Sequence, residues 1–168
     1  EGGFGGIATS SGMAAVNTVY GAMLAQGDHV VSSAAVYGPS RVVLETYYKK
    51  YGVESTFVNT ANFEEVKNAI RPETKLLYIE TPANPTMEIT DLEACCKLAH
   101  QHGITVAVDN TFCSPYLQRP IEMGADIVLH SLTKFINGHA DIVGGIVVAK
   151  DEALYKKLRP IMVTLGFN

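Results

Sequence analysis

Short apolar runs alternate with amphipathic helical patterns at least four times along this chain, and that alternation leaves few folds open. His29-Val-Val31, Lys75 to Glu80, Ile104 to Asp109, Ile127 to His130 and Gly144 to Ala149 read as strands that are apolar almost throughout. A strand with one wet face alternates polar and apolar residues, whereas a strand without alternation is covered on both faces. Glu54 to Val58 reads as a further strand. Helical spacing fills the intervals. Ser11 to Gln26 carries Met13, Val16, Tyr20 and Met23-Leu24 on one side, and Pro39 to Tyr51 stops at Gly52. Asn62 caps a helix through Ile70, Asp91 opens one to His102, and another starts at Asp151. In the Asp91 helix, Leu92, Cys95, Cys96 and Ala99 form an i, i+3, i+4, i+7 stripe that predicts a buried face. The pattern predicts an α/β fold, a mostly parallel sheet sandwiched by helices. No repeat, linker or low-complexity stretch divides the 168 residues, which suit one domain.

Composition closes off other classes. An apolar share of 47% is enough to bury a core, which excludes an extended disordered chain. The longest apolar runs are about six residues against the ~20 a membrane-spanning helix needs. Thirteen Lys and Arg against 17 Asp and Glu leave a net charge of −4 with no basic cluster, so nucleic acid is not the expected partner. Three cysteines, an odd number behind a start with no signal-like pattern, predict a reducing cytoplasm rather than a disulfide scaffold. The chain opens on Glu1 without an initiator Met and stops at Asn168 just after a helical pattern, which predicts a piece of a longer protein.

In open α/β sheets, ligands bind at the carboxyl ends of the strands. Glu80-Thr-Pro-Ala-Asn84, Asp109-Asn110-Thr111 and Ser131-Leu-Thr133-Lys134 follow three such ends. Asp109 and Lys134 alone read more simply as an ion pair. The Asn and hydroxyls around them are harder to explain as packing, and together the set suits a phosphate-bearing, nitrogen-containing ring joined to an amine. Pyridoxal phosphate (PLP) meets these demands. A lysine amine condenses with its aldehyde, and a carboxylate opposite the ring nitrogen keeps that nitrogen protonated. Hydroxyls and the free N–H groups of a helix start suit the phosphate. Ser10-Ser11-Gly12-Met13 opens the first helix, and Tyr37 follows the second strand at the same edge, where an aromatic cover for the ring is needed.

Ser11-Gly12-Met13, Val36-Tyr37-Gly38, Glu80-Thr-Pro-Ala-Asn84-Pro85, Val108-Asp109-Asn110-Thr111-Phe112 and Ser131-Leu-Thr133-Lys134-Phe135 with Asn137-Gly138-His139 resemble the Cys/Met-metabolism PLP enzymes. That family includes methionine γ-lyase, cystathionine γ-lyase and γ-synthase, and O-acetylhomoserine sulfhydrylase. The resemblance implies the large domain of a fold-type I, aspartate aminotransferase-like enzyme, with a seven-stranded sheet. It implies that Lys134 bonds the cofactor and shuttles protons, Asp109 faces the pyridine nitrogen, and Asn84 holds the phenolic oxygen. Ser11 with the Gly12 and Met13 amides, Ser131 and Thr133 are implied at the phosphate. Tyr37 is implied to stack on the ring and act as acid or base near the leaving sulfur.

The resemblance also implies that residues 1–168 form most of the PLP-binding large domain, with an N-terminal arm and a C-terminal domain outside the chain. A Tyr and an Arg from a neighbouring subunit would precede Glu1, and the arginine clamping the substrate carboxylate would follow Asn168. The chain by itself would bind cofactor weakly. The implied assembly is a homotetramer, a dimer of dimers. The implied reaction is γ-elimination from a sulfur amino acid, methionine ahead of cystathionine, with γ-synthase or sulfhydrylase activity as the alternative. Pro39 stands where methionine γ-lyases usually carry Cys, which weighs against strict methionine specificity.

Other features read as structural. Gly3-Phe-Gly5-Gly-Ile-Ala8 fits a loose G-x-G-x-x-A dinucleotide pattern, but no strand is read ahead of it and the helix starts too late. Cys95, Cys96 and Cys113 read as packing residues, and His29 and His130 as core or supporting residues. His100 and His102 sit on different helix faces, so no metal site is expected. Lys49-Lys50 and Lys156-Lys157 read as solvated, and Tyr47, Tyr48 and Tyr51 as a core edge or interface.

Overall fold

Seven strands form one sheet in the computed structural model, which describes residues Glu1–Asn168. In chain order the elements are β1 (Gly5–Thr9), α1 (Gly12–Met23), β2 (His29–Ser33), α2 (Gly38–Val42) running into a π-helical stretch (Val43–Tyr48), β3 (Glu54–Val58), α3 (Phe63–Ala69), β4 (Thr74–Glu80), α4 (Leu92–Gln101), β5 (Thr105–Asp109), α5 (Ser114–Leu117), β6 (Ile127–Ser131), β7 (Gly145–Ala149) and α6 (Glu152–Thr164). The sheet order is β1-β7-β6-β5-β4-β2-β3. The run β3-β2-β4-β5-β6 is parallel, and β7 is antiparallel to both β6 and β1. The mostly parallel sheet between helices is therefore present.

Period-two alternation divides the core in two. Val30, Leu76, Tyr78, Ala107, Ile127, Leu129 and Val147 pack on one face with Val16, Val19 and Tyr20 of α1 and Leu158 of α6. Val31, Leu77, Ile79, Val106, Val108 and Val128 pack on the other with Val66 of α3 and Leu92, Cys95, Cys96 and Ala99 of α4. The α4 stripe is thus buried as its spacing requires. Burial pushes the Cys95 thiol up to about 11 and the Cys96 thiol up to about 12, which suits small hydrophobes. His29 is a core residue held by the Thr74 and Thr56 hydroxyls at 2.8 and 2.9 Å. Tyr48 packs edge-on against Tyr20, whereas Tyr47 and Tyr51 are exposed. No helix is long and apolar enough to cross a membrane.

β1 was not read from the sequence. Glycine has low strand propensity, and Gly2-Gly3-Phe4-Gly5-Gly6 masks the signal. Partner geometry explains the glycines. A Cβ at Gly3 would lie 2.6 Å from the Ala149 carbonyl oxygen, and one at Gly5 3.1 Å from the Tyr155 ring. The glycines of the apparent dinucleotide pattern thus let an edge strand lie close to β7 and α6. Because β1 is antiparallel to β7, it runs parallel to β6 and ends at the same sheet edge. Thr9, Gly145 and Ser131 stand abreast there.

Candidate functional site

A cavity of about 390 Å³ opens at this edge, within the range of small-molecule sites. Ser11, Gly12, Met13, Tyr37, Asn84, Asp109, Ser131, Thr133 and Lys134 all line it. These nine residues, spread over five segments of sequence, are brought together.

One end is lined by groups that suit an anion. Ser11 caps α1, its hydroxyl accepting from the Ala14 N–H at 3.1 Å. Gly12 and Met13 follow as the first helical residues, whose N–H groups have no partner inside the helix. The helix dipole adds positive potential at that point. The backbone can come this close to β6 only because Gly12 has no side chain: a Cβ there would lie 2.7 Å from Ser131 Cβ. Gly145 plays a similar part beneath, where a Cβ would meet the Ser11 carbonyl oxygen at 2.2 Å. Thr133 is fixed by the Gly144 N–H, which its hydroxyl accepts at 3.1 Å.

The other end is acidic. Glu80 and Asp109 occupy paired positions on β4 and β5, so their side chains leave the same face side by side. Both are buried, at 5% and 8% exposure. Asp109 Oδ1 accepts the Thr111 hydroxyl at 2.5 Å and the Thr111 N–H at 3.1 Å. The Tyr78 hydroxyl approaches Oδ2 from below at 3.5 Å. Thr111 also accepts the Ser131 N–H at 2.9 Å, joining the acidic end to the cradle. Burial raises the Asp109 carboxyl, opposed by the Thr111 hydrogen bonds. Burial and then the Asp109 charge push Glu80 up to about 8. Two adjacent carboxyls in a dry wall favour a shared proton or a cation between them and the cavity.

Lys134 lies on the excursion that joins β6 to antiparallel β7. The Leu132 N–H to Gly144 carbonyl bond (2.9 Å) closes the base of that loop, and the Gly138 N–H to Lys134 carbonyl bond (2.9 Å) tightens its tip. The Lys134 side chain is exposed, and no acidic side chain makes a salt bridge with it. The plain ion-pair reading of Asp109 and Lys134 therefore fails, since both face one cavity without pairing. Tyr37 turns the chain from β2 into α2, with its side chain 49% exposed. Asn84 is exposed on the loop after β4.

Sequence reasoning missed the supporting residues of the same cavity: Glu80, Ser40, Thr111, Phe112 and Val143. Glu80 and Thr111 were visible at strand ends, but only strand register shows Glu80 beside Asp109. Ser40 gave no signal, and its hydroxyl approaches Met13 Sδ at 3.7 Å. His130 points to the opposite sheet face, where it pairs with Glu1 at 2.6 Å. His139 bonds the Asn137 carbonyl at 2.8 Å within its own loop. No three His, Cys, Asp or Glu side chains are grouped so as to hold a metal ion.

The cavity thus offers amide and hydroxyl donors to a dianion, a buried carboxylate to a protonated ring nitrogen, and an unpaired primary amine. Comparison with known proteins points the same way. The family described as Cys/Met metabolism PLP-dependent enzyme matches residues 1–168. An L-methionine gamma-lyase of Porphyromonas gingivalis is 49% identical over 153 residues, covering 90% of this chain and 38% of that protein. A cystathionine gamma-lyase of Bacillus subtilis is 48% identical over 166 residues, covering 99% of this chain and 44% of the relative. Among solved structures, metB from Corynebacterium glutamicum superposes with a TM-score of 0.97 at 46% identity, over 99% of this chain and 43% of that one. The chain thus spans about two-fifths of the length of the relatives it matches.

Proposed function

Since this chain belongs to the Cys/Met-metabolism PLP-dependent enzymes, we propose that residues 1–168 are the greater part of the cofactor-binding domain of a carbon–sulfur lyase. An N-terminal arm and a C-terminal domain would complete the protein. The observation that carries the reading is the meeting, in one cavity, of an unpaired Lys134 amine, a buried Asp109 carboxylate and the Gly12 cradle. These residues fit pyridoxal phosphate. The Gly12 and Met13 amides with the Ser11, Ser131 and Thr133 hydroxyls would receive the phosphate. Asp109, kept in place by Thr111, would hold the proton on the ring nitrogen. Asn84 would hold the phenolic oxygen, and Tyr37 would cover the ring face. When bound, the cofactor supplies an electron-poor ring into which negative charge from a substrate carbon can spread.

Lys134 Nζ would hold the cofactor through its aldehyde and, once the substrate amine has displaced it there, would be free to take a proton from the substrate α carbon and return it elsewhere. The Tyr37 hydroxyl would give a proton to the departing sulfur. For methionine, the balance is one water consumed and a thiol, 2-oxobutanoate and ammonia released. Methionine is placed first because several relatives near half identity bear that activity in their names. Pro39 favours the second reading, cystathionine γ-lyase, with γ-synthase or sulfhydrylase activity behind it. Three unpaired cysteines support a cytoplasmic setting. Exposed Tyr37, Phe135, Ile136, Ile142 and Val143 near the cavity mouth support a homo-oligomer.

The test uses the full-length protein with pyridoxal phosphate. Borohydride should fix the cofactor on Lys134, and Lys134→Ala should abolish that adduct by mass spectrometry; an adduct unaffected by the substitution refutes the assignment. Keto-acid release from methionine supports the first substrate, and release from cystathionine alone selects the second.

A further inference from the structure

Glu80 is a buried carboxylate in the cavity wall that the chemistry above leaves without a task. Burying a carboxylate is costly unless hydrogen bonds receive it. Glu80 Oε2 accepts the Tyr37 backbone N–H at 2.7 Å, across 43 positions of sequence. The Asn84 backbone N–H also faces that carboxyl and favours its charged form. Tyr37 begins α2, and no side-chain cap of that helix's own is present. The loop carrying Asn84 leaves β4 at Glu80 itself. One side chain at the end of β4 is therefore bonded to the Tyr37 segment and set against the Asn84 segment, both of which line the cavity. Its bond to the helix start is short for an N–H···O contact, whose usual length is about 2.9–3.0 Å.

We propose that Glu80 is a positioning residue which, bonded to the Tyr37 amide and facing the Asn84 amide, fixes both segments in place before any cofactor arrives. The inference rests on the reading of this cavity as a PLP site. It adds that the ring's cover and its edge contact are set by one shared anchor rather than by their own loops. Ser33 supports the anchor from behind, its hydroxyl accepting the Glu80 N–H at 3.2 Å.

Amide hydrogen exchange on the cofactor-free, full-length protein tests this directly. Glu80→Ala should speed exchange about fivefold or more at both the Tyr37 and the Asn84 amides, the size of one lost hydrogen bond. Exchange within α4 and β6 should be unchanged. Glu80→Gln keeps one acceptor oxygen and should release one of the two segments only, so it carries the test if the Ala variant does not fold. Titration with pyridoxal phosphate should show about tenfold weaker binding by Glu80→Ala. Unchanged exchange at both amides, or acceleration spread evenly over the chain, overturns the anchor. Absence of the Lys134 adduct in the unsubstituted protein overturns the cofactor reading instead, whatever exchange shows.

Discussion

Replacing Gly12 by Ala sets two effects of opposite sign against each other, and the structure decides between them. A glycine in a helix costs about 0.5–1 kcal/mol relative to alanine, so helix propensity alone makes Gly12→Ala stabilising. The new Cβ, however, would lie 2.7 Å from Ser131 Cβ, 2.9 Å from its Oγ and 3.2 Å from its Cα. Carbon atoms rest at about 3.5–4.0 Å, so α1 and β6 must part by most of an ångström. Ser131 is the last residue of a strand held between β5 and β7, and cannot easily retreat. Overpacking of this kind costs about 1–3 kcal/mol, which outweighs the helical gain and leaves a net loss of about 1–2 kcal/mol. The displaced amides also move away from the Ser131 hydroxyl, and loss of one charge-assisted hydrogen bond weakens phosphate binding roughly tenfold or more. Thermal unfolding of the cofactor-free, full-length protein, with and without inorganic phosphate, reads both terms. A Gly12→Ala protein that melts higher than its parent and keeps its phosphate affinity would show that the close approach carries no weight.

Two further outcomes follow from burial. The Glu80 carboxyl rises from 4.5 in the unfolded chain to about 8 in the folded one, so the folded state binds that proton more tightly. Its contribution is fully present below pH 4.5, declines as pH rises toward 8 and is gone above it, a span of at most about 5 kcal/mol at 1.36 kcal/mol per pH unit. Glu80→Gln should flatten melting temperature against pH across that window, and parallel curves would refute the coupling. Cys113 is only partly buried, whereas Cys95 and Cys96 lie in the core with thiols near 11 and 12. Brief alkylation at pH 8 followed by peptide mass spectrometry should find Cys113 modified well before the other two, and equal labelling would contradict the packing of α4.

Most of the sheet was legible because β2, β4, β5 and β6 are buried on both faces and their runs carry no alternation to misread. β1 was not, since its identity as a strand depends on β7, which lies more than 130 residues away. The direction of β7 was likewise hidden: an apolar strand looks the same running either way. At the site, Lys134, Asp109 and Asn84 follow strand ends and could be picked out by chemistry alone. Glu80 could not, because a strand-terminal Glu gains its meaning only from the Asp109 beside it and the Tyr37 amide above it. Likewise, Gly145 is an ordinary strand glycine until the Ser11 carbonyl is seen against it.

The sole strand neighbour of β1 is β7, and this has a bearing on biosynthesis. A nascent polypeptide leaving the ribosome can assemble β2 to β6 while the stretch around Ser11 still has nothing to lie on. Only when Gly145 to Ala149 emerges does the amino-terminal strand find its groove, and only then can α1 aim its free amides beside Ser131. On the PLP reading, phosphate binding would therefore wait until β7 has emerged, and a product ending before Gly145 would lack the surface on which α1 is set.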